Sequence, residues 1–428
     1  MNLFRYFLVD TIGQERRIRF MLVESIVRKT LAINRHRVEK VVQEDGRLVV
    51  YLTADKRCHL LCSACGLKGP GYDRLPQRRW QHVPLWGVPV DLVYAPHRVD
   101  CARCGIKVEV LPWSHGKSPV SVPLSLVLAT WAKLLAWQVV AQLFGFHWNT
   151  VRKAVNNVVD YGLEHRDTDN VLYVGIDEIS RRKGHVYQTQ VYDLTEKRLL
   201  WTGEDRTSKT LEDFFDQWGP ERCQKIEAVC CDMWAPYVDV IKSRLPNAIL
   251  VFDKFHIVRH LMAAVDQVRR DEAKQNDTED PALLKNTRYI WLKNPWNLTE
   301  LQQTKLRDLQ NRNLKIFRAY LLKEAFRRFW SYTYQAWAEK YLNQWFWWAT
   351  HSRIEPIRNF AWLLRAHQDD ILNYFKVRID NGAVEGLNNK AKSICHRAYG
   401  YRCSETFALA MYHGLGKLPM PVLTHKFV

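Results

Sequence analysis

At 428 residues, 47% hydrophobic and 25% charged, the chain has the composition of a globular protein with room for about three domains. Lys and Arg number 63 against 45 Asp and Glu, a formal charge of +18, which favours a phosphate-rich partner. No apolar run approaches the roughly 20 residues needed to cross a bilayer, and Met1–Phe7 meets charge too early for a secretory signal.

Ten cysteines without an export signal argue for reduced thiols and metal ligation over disulfides. The expectation is a cytoplasmic, nucleoid-associated bacterial protein with no membrane partner. The positive charge is uneven. Residues 1–120 hold 20 basic and 11 acidic side chains, residues 171–270 hold 15 of each, and residues 371–428 hold 8 and 3. A neutral segment flanked by basic ones suits a site whose substrate is gripped elsewhere by its phosphates.

Cys62-Ser63-Ala64-Cys65-Gly66 and Cys101-Ala102-Arg103-Cys104-Gly105 are two Cys-x-x-Cys-Gly knuckles. Together they offer Cys62, Cys65, Cys101 and Cys104 as four thiolates for a tetrahedral structural Zn²⁺, with glycine permitting the tight turn. Cys58 and His59 lie close enough to compete with Cys62. Between the knuckles, Arg74, Arg78, Arg79, His82 and Arg98 alternate with Tyr72, Trp80 and Trp86, and Trp80–Tyr94 reads as short strands. A basic, aromatic zinc ribbon could read DNA, with Arg78 and Arg79 on phosphates. A pure scaffold would give the same pattern.

Residues 124–163 show helical spacing of apolar positions. Within them, Trp137–Ala154 fits a helix-turn-helix: Ala141 is small at the helix crossing, Gly145 sits in the turn, and Val140, Phe144, Phe146, Val151 and Ala154 make the seam. The second helix would present His147, Asn149, Thr150, Arg152 and Lys153 to a major groove. An ordinary helical hairpin is the plainer alternative, and the zero net charge of residues 121–170 favours it.

From Val171 the pattern turns strand-like. Strands are expected at about 171–178, 186–193 and 197–202, a helix at about 207–218, strands at about 226–231 and 248–252, and helices from 254 onward. Three antiparallel strands, a helix and two further strands is the RNase H-like order. It makes neighbours of Asp177, closing the run Val171–Ile176, and Asp232, closing Ile226–Cys231. Glu385, at the start of a helix in Asn381–Lys390, would join them. Three such carboxylates can hold two Mg²⁺ ions, or Mn²⁺ in their place, around an in-line displacement at phosphorus. Alternation should turn Glu178 to the opposite face from Asp177, and Asp253 should lie one strand further away, paired with His256. Asn388, Asn389 and Lys392 share the face of Glu385, where they can orient it and touch the scissile phosphate.

Gly175–Glu178, Asp232–Tyr237, Asp253–His256, Gly382–Lys392 and Arg397–Arg402 resemble the DDE insertion-sequence transposases of the ISL-three group. The resemblance runs from Cys62 onward, zinc knuckles and helix-turn-helix included. The segment Arg57–Cys62 lacks the Cys-Pro-x-Cys form expected there. The resemblance implies a multi-domain α+β protein: an N-terminal zinc ribbon, a helix-turn-helix, and an RNase H-like core with a helical insertion. It implies Asp177, Asp232 and Glu385 as the catalytic, Mg²⁺-binding triad.

The corresponding division is 1–116, 117–165, 166–270 with 371–415, and an insertion at 271–370. In the insertion, Trp330, Tyr334, Trp337, Tyr341, Trp345 and Trp348 recur at helical spacing. Element ends and target DNA are the expected partners, with Asn388, Lys392 and Arg397 as further DNA contacts and a homodimer or larger assembly cutting two ends. A nuclease with the same site, or a zinc and helix-turn-helix regulator, are the competing functions.

Overall fold

The computed structural model describes residues 35–114, 116–182, 186–275, 283–312, 314–379 and 382–421. The expectations for Met1–Phe7 and for Asn381 therefore fall outside the described residues. The chain divides into two units, residues 1–158 with 420–428, and residues 159–419.

In the first unit, β-branched and aromatic residues at alternating positions build a sheet with one sealed face. β1 (His36–Glu44), β2 (Arg47–Ala54), β6 (Arg78–Leu85) and β7 (Val88–Tyr94) form a sheet in the order β1-β2-β7-β6. Val50, Leu52, Trp80, Val90, Leu92, Tyr94 and Trp113 pack into its core. Beside it, β3 (Leu60–Leu61) pairs with β4 (Lys68–Gly69), and β5 (Gly71–Arg74), β8 (His97–Cys101) and β9 (Gly105–Val108) make a three-stranded sheet.

Glu109 ties these small sheets to the larger one. Its Oε1 accepts from Tyr94 Oη at 2.7 Å and from the His97 amide at 2.6 Å, and its Oε2 lies 3.4 Å from His36 Nε2. These hydrogen bonds outweigh the burial that would raise its pKa, so the carboxyl stays below its usual range. Three helices follow: Val122–Leu134, Trp137–Phe144 and Trp148–His165. Ser121 caps the first, accepting from Leu124 N, and Gly145 ends the second at φ 70° in the left-handed region where glycine is unstrained.

In the second unit, β10 (Tyr173–Arg182), β11 (Val186–Asp193), β12 (Arg198–Glu204), β13 (Ala228–Cys231) and β14 (Ile249–Phe252) form a sheet in the order β12-β11-β10-β13-β14. The first three strands pair antiparallel; β13 joins β10 and β14 joins β13 in parallel. Strand alternation gives the sheet two faces. Val174, Ile176, Val191 and Leu200 pack in one core with Leu211, Phe214, Phe215, Tyr237 and Ile241 of helices Ser208–Trp218 and Ala235–Arg244. From the other face, Tyr192 bonds to Asn388 on helix Gly382–Arg397 and Gln188 to Ser404 on helix Ser404–Leu415.

Between β14 and helix Gly382–Arg397 the described residues are mainly helical, beginning with Lys254–Gln275. The expected aromatic stripe is not one helix face. Helix Lys315–Phe329 ends before Trp330, and the next helix starts only at Gln335. Trp330 and Trp345 are buried, whereas Tyr334 and Trp337 are exposed. The buried face of helix Gln335–His351 is instead Ala338, Leu342, Trp345, Phe346 and Ala349. The regular spacing of aromatics ran across a turn at 331–334, so it mimicked a continuous helix.

Candidate active site and metal centres

β10 pairs with β13 only as far as Gly175↔Cys230. Beyond that point β10 continues with an open flank, and Asp177 sits on it. Asp232 follows the last residue of β13, and Asp253 follows the last of β14, its amide bonded to Cys231 O at 2.9 Å. Glu385 lies in the first turn of helix Gly382–Arg397, exposed. Asp177, Asp232 and Glu385 line one cleft, together with Glu178, Asp253, His256, Arg206, Arg259, Asn388, Asn389 and Lys392. The three acids singled out by sequence thus meet.

A larger hollow of about 500 Å³ lies at the opposite ends of β13 and β14, among Cys223, Ile226 and Ala248. Its one lining carboxylate, Asp216, already pairs with Arg244 at 2.7 Å. Size therefore does not mark the site; the density of carboxylates does.

Burial raises the pKa of Asp177, although the Glu178 amide donates to its Oδ1 at 2.8 Å. Its other oxygen accepts from Asn388 Nδ2 at 2.5 Å, while Asn388 Oδ1 accepts from Tyr192 Oη at 2.8 Å. Asn388, expected on DNA, is only 7% exposed, and both ends of its amide are used inside the protein. It docks the helix of Glu385 onto the central strand.

Asp232 behaves differently. Burial pushes its pKa up, but His256 Nδ1 at 2.7 Å, the Met233 amide and nearby Arg259 outweigh this and leave it lowered. His256 Nε2 also faces Asp253 Oδ2 at 3.8 Å. Burial would favour a neutral His256, yet Asp232 holds its pKa above the usual value. Asp253, desolvated by burial, is pushed up to about 6. It lies one strand beyond Asp232, as its position in the chain implied, yet it lines the same cleft.

Glu178 follows strand alternation toward Arg206, 2.8 Å away, and still reaches the cleft because the open flank of β10 exposes both faces. Burial pushes it up to about 7. Arg206 and Arg259 were not singled out by sequence. Arg259 stands three residues after His256 on a helix, a spacing that could have found it. Arg206 sits in an irregular turn and left no pattern. Arg397 ends the helix of Glu385 and does not line the cleft.

The cleft offers hard carboxylate oxygens of the kind divalent cations take, and the desolvated Asp177 carboxylate would gain charge balance from a nearby cation, although among the described residues only the four cysteines bring their ligand atoms within 4.8 Å of one another. Because Asn388 positions Asp177 from behind, Asn388→Ala should weaken metal affinity or activity about 10–100-fold, the usual cost of removing a group that orients a ligand. Titrating cleavage against Mg²⁺ measures it; an unchanged metal dependence and rate would deny Asn388 this role.

In the first unit, the Sγ atoms of Cys62, Cys65, Cys101 and Cys104 all lie within 4.8 Å of one another. Four thiolates at Zn–S distances of about 2.3 Å require such a spacing. Gly66 and Gly105 take φ 72° and 69° in the two turns. Amides of Arg103 and Cys104 donate to Cys101 and lower its pKa to about 7, favouring the thiolate. Cys62 belongs to the cluster; Cys58 and His59 do not.

The expected DNA contacts of this unit divide. Arg79 pairs with Glu44 at 3.2 Å, and Arg78 lies 4.6 Å from the Trp80 ring centre. Val140, Val151 and Ala154 form the buried seam of the two hairpin helices, with Phe144 and Phe146 half-buried. His147, Asn149 and Lys153 are exposed, and Thr150 and Arg152 half-buried. His147 Nδ1 accepts from the Asn149 amide at 3.3 Å, so it also caps the second helix.

A family model of ISL-three-type DDE proteins, described as transposase, matches residues 174–411. The transposase for insertion sequence element IS1001 of Bordetella parapertussis is 32% identical over 372 residues, 86% of this chain and 91% of that one. The transposase for insertion sequence element IS1557 of Mycobacterium tuberculosis (strain ATCC 25618 / H37Rv) is 30% identical over 384 residues, 84% of this chain and 86% of that one.

Proposed function

The chain belongs to the ISL-three family of DDE transposases, and from that premise we propose that Asp177, Asp232 and Glu385 carry out both the cutting of element ends and their joining to target DNA. It is a DNA transposase. What carries the reading of the site is the arrival of three carboxylates in one cleft from β10, from the end of β13 and from a helix over 130 residues later. The strand order β12-β11-β10-β13-β14, antiparallel then parallel, supports an RNase H-like core at 166–270 and 371–415, interrupted by a helical insertion at 271–370.

Held by Asp177, Asp232 and Glu385, two Mg²⁺ or Mn²⁺ ions would supply Lewis acidity to the entering and leaving oxygens at phosphorus. Asn388 fixes the carboxylate of Asp177, and His256 holds that of Asp232. Lys392 and Arg259, at the cleft, offer positive charge to phosphate oxygens. In the first step water attacks the phosphodiester at an element end, and the 3′ oxygen leaves as a hydroxyl. In the second, that hydroxyl attacks a target phosphodiester and releases another 3′ oxygen. Each step exchanges one P–O bond for another, so no outside energy source is needed.

Residues 1–116, with a structural Zn²⁺ on the four cysteines, and the helix-turn-helix at 117–165 would select the ends. There Asn149, Arg152 and Lys153 face bases or phosphates. Two ends to be cut favour a dimer or larger assembly on DNA, working at the nucleoid. The test is incubation of labelled end duplex with a target plasmid and Mg²⁺. Covalent joining of end to target is expected; nicking without joining would leave a nuclease, and binding alone a regulator.

A further inference from the structure

Helix Gly382–Arg397 ends in a Schellman turn: Gly400 N donates to Cys395 O at 2.8 Å and Tyr399 N to His396 O at 3.1 Å. The residue between helix and exit in such a turn adopts the left-handed conformation, where glycine fits without strain. Here that residue is Tyr399, at φ 54°, and it is 99% exposed. No core contact rewards this choice.

The chain is nevertheless anchored just after Tyr399. Buried Arg181 on β10 donates to Arg402 O at 2.6 Å and to Tyr401 O at 3.4 Å. Tyr401 turns inward onto Phe407, ring centres 5.9 Å apart, while Tyr399, two residues away, stands out in solvent. Residues 386–402 carry Lys390, Lys392, Arg397 and Arg402 and no acidic side chain. Of these, Lys392 lines the cleft of Glu385.

We propose that Tyr399 is a stacking platform for an unstacked nucleobase of the bound DNA, placed just beyond the far end of the helix that carries Glu385. An exposed aromatic ring next to a stretch with basic and no acidic side chains suits a base face, because stacking is tolerant of sequence and the phosphates supply the attraction. The strain at a position built for glycine is then accounted for by ligand contact rather than by folding. Tyr399 lies about 14 residues along the helix from Glu385, roughly 20 Å. At about 3.4 Å per nucleotide, the stacked base would be about six nucleotides from the scissile phosphate.

This inference rests on the transposase reading, and its test keeps the two apart. Full-length wild type, Tyr399→Gly and Tyr399→Phe are compared for melting and for binding to end duplexes. The duplexes carry 2-aminopurine singly at positions four to eight nucleotides from the cut, on either side. Tyr399→Gly should melt no lower than wild type, since glycine relieves the turn. It should bind roughly 10-fold or more weakly, as loss of one base stack does, and should lose a position-specific fluorescence change that wild type and Tyr399→Phe both show. Equal binding and equal fluorescence in Tyr399→Gly would overturn the stacking site while leaving the transposase intact. A Tyr399→Phe variant as defective as Tyr399→Gly would overturn it too, by assigning the effect to the hydroxyl. A wild type that binds no end DNA would instead strike at the functional reading beneath it.

Discussion

Asp177→Asn, Asp232→Asn and Glu385→Gln should each reduce both end cleavage and strand transfer by roughly 10³-fold or more, with end binding changed only a few-fold. Loss of one preorganised charged group aimed at a developing transition state costs about that much. Each substitution keeps the shape of the side chain and removes one negative charge from the cleft, so binding through phosphate contacts elsewhere should survive. The control is Asp253→Asn. Asp253 lines the cleft but stands one strand further from β10. Cleavage and joining of labelled ends, measured for all four variants, decides the assignment. Near-normal activity in Asp232→Asn together with loss in Asp253→Asn would move the second ligand to Asp253.

Removal of zinc should have the largest effect on folding. Structural zinc sites bind with apparent free energies of about 10–16 kcal/mol, while whole domains are stable by about 5–15 kcal/mol. The small sheets beside the knuckles, β3 with β4 and β5 with β8 and β9, have strands of two to five residues and little core of their own. Cys65→Ser or Cys104→Ser should therefore release about one zinc per chain. Hydrogen exchange should become fast at 97–108 while β10–β14 keep their protection. Metal analysis of protein purified without chelator should find one zinc per chain; finding none, with exchange at 97–108 still slow, would contradict a zinc-held ribbon.

The parts of this fold legible in the sequence were those governed by local rules. β11 was read at 186–193 and found at Val186–Asp193, closed at its end by Asp193, whose Oδ1 accepts from the Thr195 and Glu196 amides of the following turn. The expected helix at 207–218 begins at Ser208 because Thr207 caps it, accepting from the Thr210 amide. The meeting of Asp177, Asp232 and Glu385 in one cleft was legible because each acid ends an apolar run or opens a helix. Contacts made by folding were not. Nothing in the chain announces that Asn388 would bond Asp177 across more than 200 residues, or that Arg206 would reach Glu178. Glu178 was correctly given the opposite strand face, but alternation says nothing about where a neighbouring strand stops, and the short β13 opens the cleft to both faces. Spacing left Cys62, Cys58 and His59 open; the four-cysteine cluster includes Cys62 and neither of the others.

The most direct measurement is a count of metal ions in the cleft. Mn²⁺ bound to the complex of protein and end DNA can be titrated by electron paramagnetic resonance, with zinc already in the cysteine site. Two Mn²⁺ per chain are predicted for the wild type, falling to one or none in Asp177→Asn, Asp232→Asn and Glu385→Gln alike. A wild type that cleaves and joins DNA while its bound Mn²⁺ is indifferent to all three substitutions would contradict the assignment of these carboxylates.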